Sequence, residues 1–127
     1  MGDKVTGGCK CGNIRYEGET AEGTPFRCYC RDCQHLTGTG HSEMFPLVTA
    51  SFTLTGSATE YQMTGDSGQP TWSRFCPKCG SPLTRQSNRM KHMVYVHAAS
   101  LDDPGRYTPG MVLYATSAQP WDEPPED

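Results

Sequence analysis

Arg74-Phe75-Cys76-Pro77-Lys78-Cys79-Gly80-Ser81 is a tight turn with a thiol at each end. Cys76 and Cys79 are too constrained to bridge each other as an ordinary disulfide, yet both sulfurs reach a common ion about 2.3 Å away with ease. Gly80 relieves the backbone after the second thiol, and the amides of such a turn donate to the sulfurs. This is the form of a zinc knuckle. A knuckle supplies two ligands of a four-ligand shell, so the rest of the chain must supply the others.

Two further groups do so, Cys9-x-Cys11 and Cys28-x-Cys30-x-x-Cys33, and no cysteine lies outside the three groups. An even count in a short secreted chain would suggest a disulfide framework. Here the count is seven, and Met1-Gly2-Asp3-Lys4 leads into no apolar leader segment. A reducing compartment, the cytoplasm, is expected. An iron–sulfur cluster also uses closely spaced thiolates, but zinc is the favoured ion.

A structural zinc takes four protein ligands, whereas a catalytic zinc takes three and leaves one position open, so seven thiols divide into four and three. Cys9 and Cys11 precede a predicted strand, where extended backbone would point both sulfurs to one side. Joined to Cys76 and Cys79, they give an all-thiolate staple across distant parts of the chain. Cys28, Cys30 and Cys33 form a compact second set. Its fourth ligand is water, a substrate, or a side chain such as His35 or His41. Three thiolates make the ion a poor Lewis acid but a good host for another soft ligand, including a substrate thiol held as thiolate.

Composition limits the other classes. Fourteen glycines and ten prolines in 127 residues exceed ordinary usage of about 12%, so turns take up much of the chain and long helices have little room. One domain, 1–127, is expected. The net charge of −3 supplies no basic footprint for nucleic acid or an anionic membrane, and no apolar run approaches the roughly 18 residues of a membrane span.

The remaining pattern is of short strands. Residues 13–17 and 51–55 alternate polar and apolar side chains, the period of half-buried strands. Residues 93–98 and 111–115 read as more fully buried strands, rich in β-branched and aromatic residues. The one helical piece follows Cys30, placing Cys30 and Cys33 on one face and stopping at Thr37-Gly38. Residues 65–70 and 102–105 are turns. The acidic tail 122–127 is expected to fray. The fold class is all-β or β-dominated.

The order C-x-C, C-x-C-x-x-C and R-F-C-P-x-C-G-S resembles the glutathione-dependent formaldehyde-activating enzyme family, which includes centromere protein V. The likeness runs from Gly8-Cys9-Lys10-Cys11-Gly12 and Ile14-Arg15-Tyr16, through Cys28–Gln34 with Thr37-Gly38 and Arg74–Ser81, to Ser100-Leu101-Asp102-Asp103-Pro104 and Trp121. It implies a β-tent of small antiparallel sheets with two zinc ions. Cys9, Cys11, Cys76 and Cys79 would hold the structural ion. Cys28, Cys30 and Cys33 would hold the exchangeable, active-site ion. The implied activity is a carbon–sulfur lyase joining glutathione and formaldehyde as S-(hydroxymethyl)glutathione. Family members often have histidine where this chain has Tyr29.

Arg31 and Arg74 are candidate substrate-binding residues, because arginine offers a bidentate fork to carboxylates. Tyr29, His35 and His41 are candidate proton handlers, and His92 and His97 are assigned no role. The alternative to a lyase is a non-catalytic, zinc-structured binding module. A β-tent methionine sulfoxide reductase ranks below both, since it needs a cysteine outside the metal sites.

Overall fold

The computed structural model describes residues 2–65 and 67–124. Asp66 of the expected 65–70 turn and residues 125–127 of the acidic tail lie outside the described residues. Ten strands are described: β1 (Lys4–Gly8), β2 (Arg15–Glu19), β3 (Phe26–Cys28), β4 (Ser42–Val48), β5 (Thr53–Thr55), β6 (Thr59–Thr64), β7 (Pro70–Phe75), β8 (Pro82–Ser87), β9 (Met93–His97) and β10 (Met111–Leu113). Among the described residues the single α-helix is α1 (Arg31–Thr37), with short 3-10 turns elsewhere. No described helix is long and apolar enough to cross a membrane.

The strands form two sheets, β1-β2-β5 and β10-β3-β4-β9-β8-β7-β6. Every pairing is antiparallel except β10 against β3. Side chains alternate across a strand, so register divides the large sheet into two chemical faces. Phe45, Leu47, Val94 and Val96 point to the small sheet and join Val5, Ile14, Tyr16 and Leu101 in the core. Each such aliphatic side chain contributes about 1.5–3 kcal/mol on burial. The pairing of β7 with β8 shifts between Arg74 and Phe75, so that Phe75 lies opposite Pro82 and Arg74 opposite Thr84. Leu83 is the extra residue of this bulge and enters the core.

The other face carries the chemistry. Cys28 lies opposite Ser42, Met44 opposite His97, and Arg85 opposite both Tyr95 and Ser73. Packing of Phe26 on Tyr95, with ring centroids 5.0 Å apart, confirms this side of the sheet.

The strand expected over 13–17 starts two residues later, because Asn13 and Ile14 belong to a turn in which the Ile14 carbonyl accepts from the Cys9 amide at 3.1 Å. That expected over 51–55 shortens to β5, since residues 49–51 wind into a 3-10 turn held by Ser51 Oγ donating to the Val48 carbonyl. The expectation over 93–98 matches β9, which is buried on both faces. The burial expected over 111–115 does not hold: Met111 and Val112 of β10 are 44% and 38% exposed. Among the described residues β10 is a sheet edge with β3 as its one strand neighbour.

Candidate metal centres and active site

The four-cysteine centre is built from two turns. Cys9 and Cys11 sit in a bend closed by the Gly12 amide donating to the Cys9 carbonyl, not on the extended backbone expected from the i, i+2 spacing. The 76–80 knuckle closes through the Gly80 amide donating to the Cys76 carbonyl at 2.8 Å, with Gly80 at φ 79°, a conformation glycine adopts without strain. Amides of Ile14 and Lys78 donate to the sulfurs of Cys9 and Cys76 at 3.3 and 3.4 Å. Ser81 joins the turns, accepting from the Lys10 amide at 3.0 Å and lying 3.2 Å from the Cys79 sulfur. Its hydroxyl leads the hydrogen bonds that hold the Cys79 thiol down at about 5.

All four sulfurs lie within 4.8 Å of one another. Cys9 to Cys11 is 3.6 Å and Cys11 to Cys76 is 3.7 Å. A tetrahedron with 2.3 Å metal–sulfur bonds has edges of about 3.8 Å, so the donor set fits an ion of that size.

The three-cysteine centre lies on the opposite face of the large sheet. Cys28 ends β3, Cys30 caps α1, and Cys33 lies one turn into the helix. Cys30 is thus the cap, not a member of the helical face expected from its spacing, and its sulfur accepts from the Cys33 amide at 3.3 Å. Gly38, at φ 77°, ends the helix and donates to the Gln34 carbonyl. The three sulfurs again lie within 4.8 Å of one another, and among the described residues no histidine or carboxylate ligand atom completes that group.

Charge within this set is unevenly held. Hydrogen bonds from Cys28 and then Cys33 pull the Cys30 thiol down to about 2. The reciprocal bond with Cys30, together with Cys33 and burial, pushes Cys28 far up. Arg85, reaching in from β8, donates through Nη1 to the Cys33 sulfur at 3.1 Å. The Ser42 hydroxyl is buried without a hydrogen-bond partner of good geometry and lies where it favours the Cys33 thiolate.

Residues 4–117 match the family model described as glutathione-dependent formaldehyde-activating enzyme. The chain belongs to this family. The fold also resembles the crystal structure of a Rhodobacter sphaeroides protein from a structural genomics programme, with 24% identity over 77% of this chain and 88% of that chain and a TM-score of 0.63. That likeness speaks to the fold alone. No protein among the curated ones matches the chain.

Against this family background, the structure separates the two arginines singled out in the sequence. Arg31 is exposed at the start of α1, beside the three-cysteine centre, bonded to the Gln34 side chain and at 3.2 Å to His35 Nε2. Arg74 is not brought there. Its register partner is Thr84, on the face opposite Arg85, and its Nε pairs with Glu60 at 3.3 Å. It lines a separate cavity of about 580 Å³ with Phe52, Leu54 and Gln86 and none of the seven cysteines.

His35 is exposed. Tyr29 is buried, its ring 5.1 Å from that of His41. His41 has both ring nitrogens on carboxylates, Nε2 on Glu43 and Nδ1 on Asp122. A Cβ on Gly40 would collide with an Asp122 carboxylate oxygen, so glycine is needed for Asp122 to reach His41. His92 is exposed, and His97 is buried on the face that carries Cys28.

Sequence reasoning missed Arg85 and Gln34. The Gln34 amide donates to the carbonyls of Tyr29 at 2.8 Å and Ser117 at 3.1 Å, tying the centre to the chain after β10. The position of Gln34 directly after Cys33 was its one visible signal. Arg85 gave none, since it stands 52 residues from its sulfur partner.

Proposed function

We propose that the chain is a zinc-dependent carbon–sulfur lyase that joins glutathione and formaldehyde, or a closely related thiol and aldehyde, in a reducing cytoplasm. The observation that carries this reading is a three-thiol donor set with no fourth histidine or carboxylate ligand among the described residues. Family membership supports the substrate class. Two ions per chain are proposed, a fixed one at Cys9, Cys11, Cys76 and Cys79 and an exchangeable one at Cys28, Cys30 and Cys33. When bound at the second set, zinc supplies a soft position at which a thiol is held deprotonated.

The protein's own groups do the rest. Arg31, whose fork has donors beyond those given to Gln34 and His35, is proposed to take a carboxylate of the thiol substrate. In the addition, one carbon–sulfur bond forms, the carbonyl π bond breaks, and the thiol proton ends on the former carbonyl oxygen. Of the three candidate proton handlers, His35 is the exposed one and is proposed to carry that proton. Arg74, committed to Glu60 on the other face, is not retained as a substrate ligand.

Cobalt substitution tests this reading. A thiolate charge-transfer band should change on adding glutathione, and the change should vanish in Cys30→Ser. NMR should show formaldehyde exchanging with its glutathione adduct faster than without protein. A spectrum indifferent to thiols, together with an uncatalysed exchange rate, would overturn the lyase and leave a non-catalytic, zinc-structured module.

A further inference from the structure

Four arginines are paired with carboxylates: Arg15 with Asp102, Arg27 with Glu43, Arg74 with Glu60 and Arg106 with Asp3. Arg85 differs. It is half-buried and has no carboxylate partner among the described residues, and its guanidinium is bonded to the Cys33 sulfur. A cation withdrawn from water needs a counter-charge. Among the described residues, the three-cysteine centre is the anionic group that Arg85 reaches.

The polar layer around Arg85 strengthens the point. Ser73, its register partner on β7, and Ser42, the register partner of Cys28, are 5% and 1% exposed; the Ser73 hydroxyl has no hydrogen-bond partner among the described residues, and that of Ser42 has none of good geometry but lies towards Cys33. Buried hydroxyls are costly when unpaired; Thr84 on the opposite face is another, so what marks the Arg85 face is that Ser42 stands across the ladder from Cys28. Ser42 and Arg85 are the polar groups that this face brings to the cysteine centre.

That charge is set by the donor count. Three thiolates around a divalent ion leave one net negative charge, and a fourth thiolate would double it. We propose that Arg85 is a positioning residue whose guanidinium, held against Cys33, offsets this excess so that the centre accepts an anionic thiol as its fourth ligand. The inference rests on the reading that a thiol occupies that position. It assigns to β8 an offset of the thiolate charge at the ion itself, separate from the carboxylate contact proposed for Arg31 on α1.

Opposite charges about 5 Å apart at an effective dielectric near 20 change a binding constant by roughly 200- to 300-fold, and partial solvent access to Arg85 lowers this to about tenfold. The test uses the full chain with cobalt at the second centre, titrated with glutathione and separately with imidazole, a neutral ligand, following the charge-transfer and d–d bands. Arg85→Gln should weaken glutathione about tenfold and leave imidazole unchanged, and Arg85→Lys, which keeps the charge, should recover most of the loss. Equal weakening of both ligands, unchanged glutathione affinity, or loss of the ion from both variants would overturn the proposal and make Arg85 a support of the shell. Failure of the unmodified protein to bind any thiol would instead sink the functional reading, and this inference with it.

Discussion

His97 makes acid stability a direct readout of the face behind the three-cysteine centre. It is 6% exposed, and burial, reinforced by the Arg85 cation, lowers its imidazole from 6.5 to about 4. The native state therefore needs the neutral ring, while the unfolded chain takes up a proton below about 6.5. The stability contributed by neutral His97 is fully present above pH 6.5 and is lost as pH falls towards 4. At about 1.4 kcal/mol per unit, the loss between neutral pH and about pH 4.5 is about 2–3 kcal/mol. Protonation of the cysteine thiolates weakens the fold over part of the same range, so the comparison must be with a variant that keeps every thiol. Urea unfolding of the parent protein and His97→Gln at about pH 7 and about pH 4.5 isolates the histidine. The variant should lose about 2–3 kcal/mol less on acidification. Parallel losses in the two proteins would refute a buried neutral His97.

If the proposed structural ion is held there, Cys76→Ser removes a ligand from a centre whose binding free energy is folding free energy, so it should abolish the cooperative thermal transition, whereas Cys30→Ser should retain it; calorimetry with metal analysis distinguishes the two. Gln34→Leu leaves the Tyr29 and Ser117 carbonyls without their donor, costing about 2–4 kcal/mol, and should speed loss of the second ion to a mild chelator while the first ion stays. Gly38 sits at φ 77°, and an alanine methyl there would meet nothing within 4 Å. Gly38→Ala should therefore cost about 1 kcal/mol from backbone strain alone, visible as a lowered urea midpoint with an unchanged slope.

The cysteines were legible because ligand spacing is local: a turn of four residues fixes two sulfurs wherever the turn lies. β9 and the alternation of β2 were legible for the same reason, each carrying its own period. The strands β6, β7 and β8 were not: Thr59-Glu60-Tyr61-Gln62-Met63-Thr64 does alternate, but it is a mostly exposed edge strand whose partner is fixed by the sheet and not by its own sequence. β10 misled because Met111-Val112-Leu113 looks buried, and only the sheet order makes it an edge. The arginines show the same limit. Proximity in sequence drew attention to Arg74, two residues from Cys76, yet one step of β alternation turns Arg74 to the opposite face and leaves Arg85, whose register partner is Ser73, beside Cys33.

The two centres also differ in when they can exist. During synthesis at about 5–20 residues per second, Cys28, Cys30 and Cys33 leave the ribosome together, seconds before Cys76 and Cys79 arrive to meet Cys9 and Cys11. The compact set can therefore capture an ion on a nascent chain that has neither its β8 arginine nor the Ser117 carbonyl that steadies α1. Metal content of ribosome-arrested chains ending before Cys76 reads this directly, with one retained ion expected and none refuting it. On the proposed two-ion reading, the early set competes with the late one under metal scarcity, and a chain loaded only at Cys28, Cys30 and Cys33 would carry the proposed exchangeable ion without the proposed staple between its two sheets.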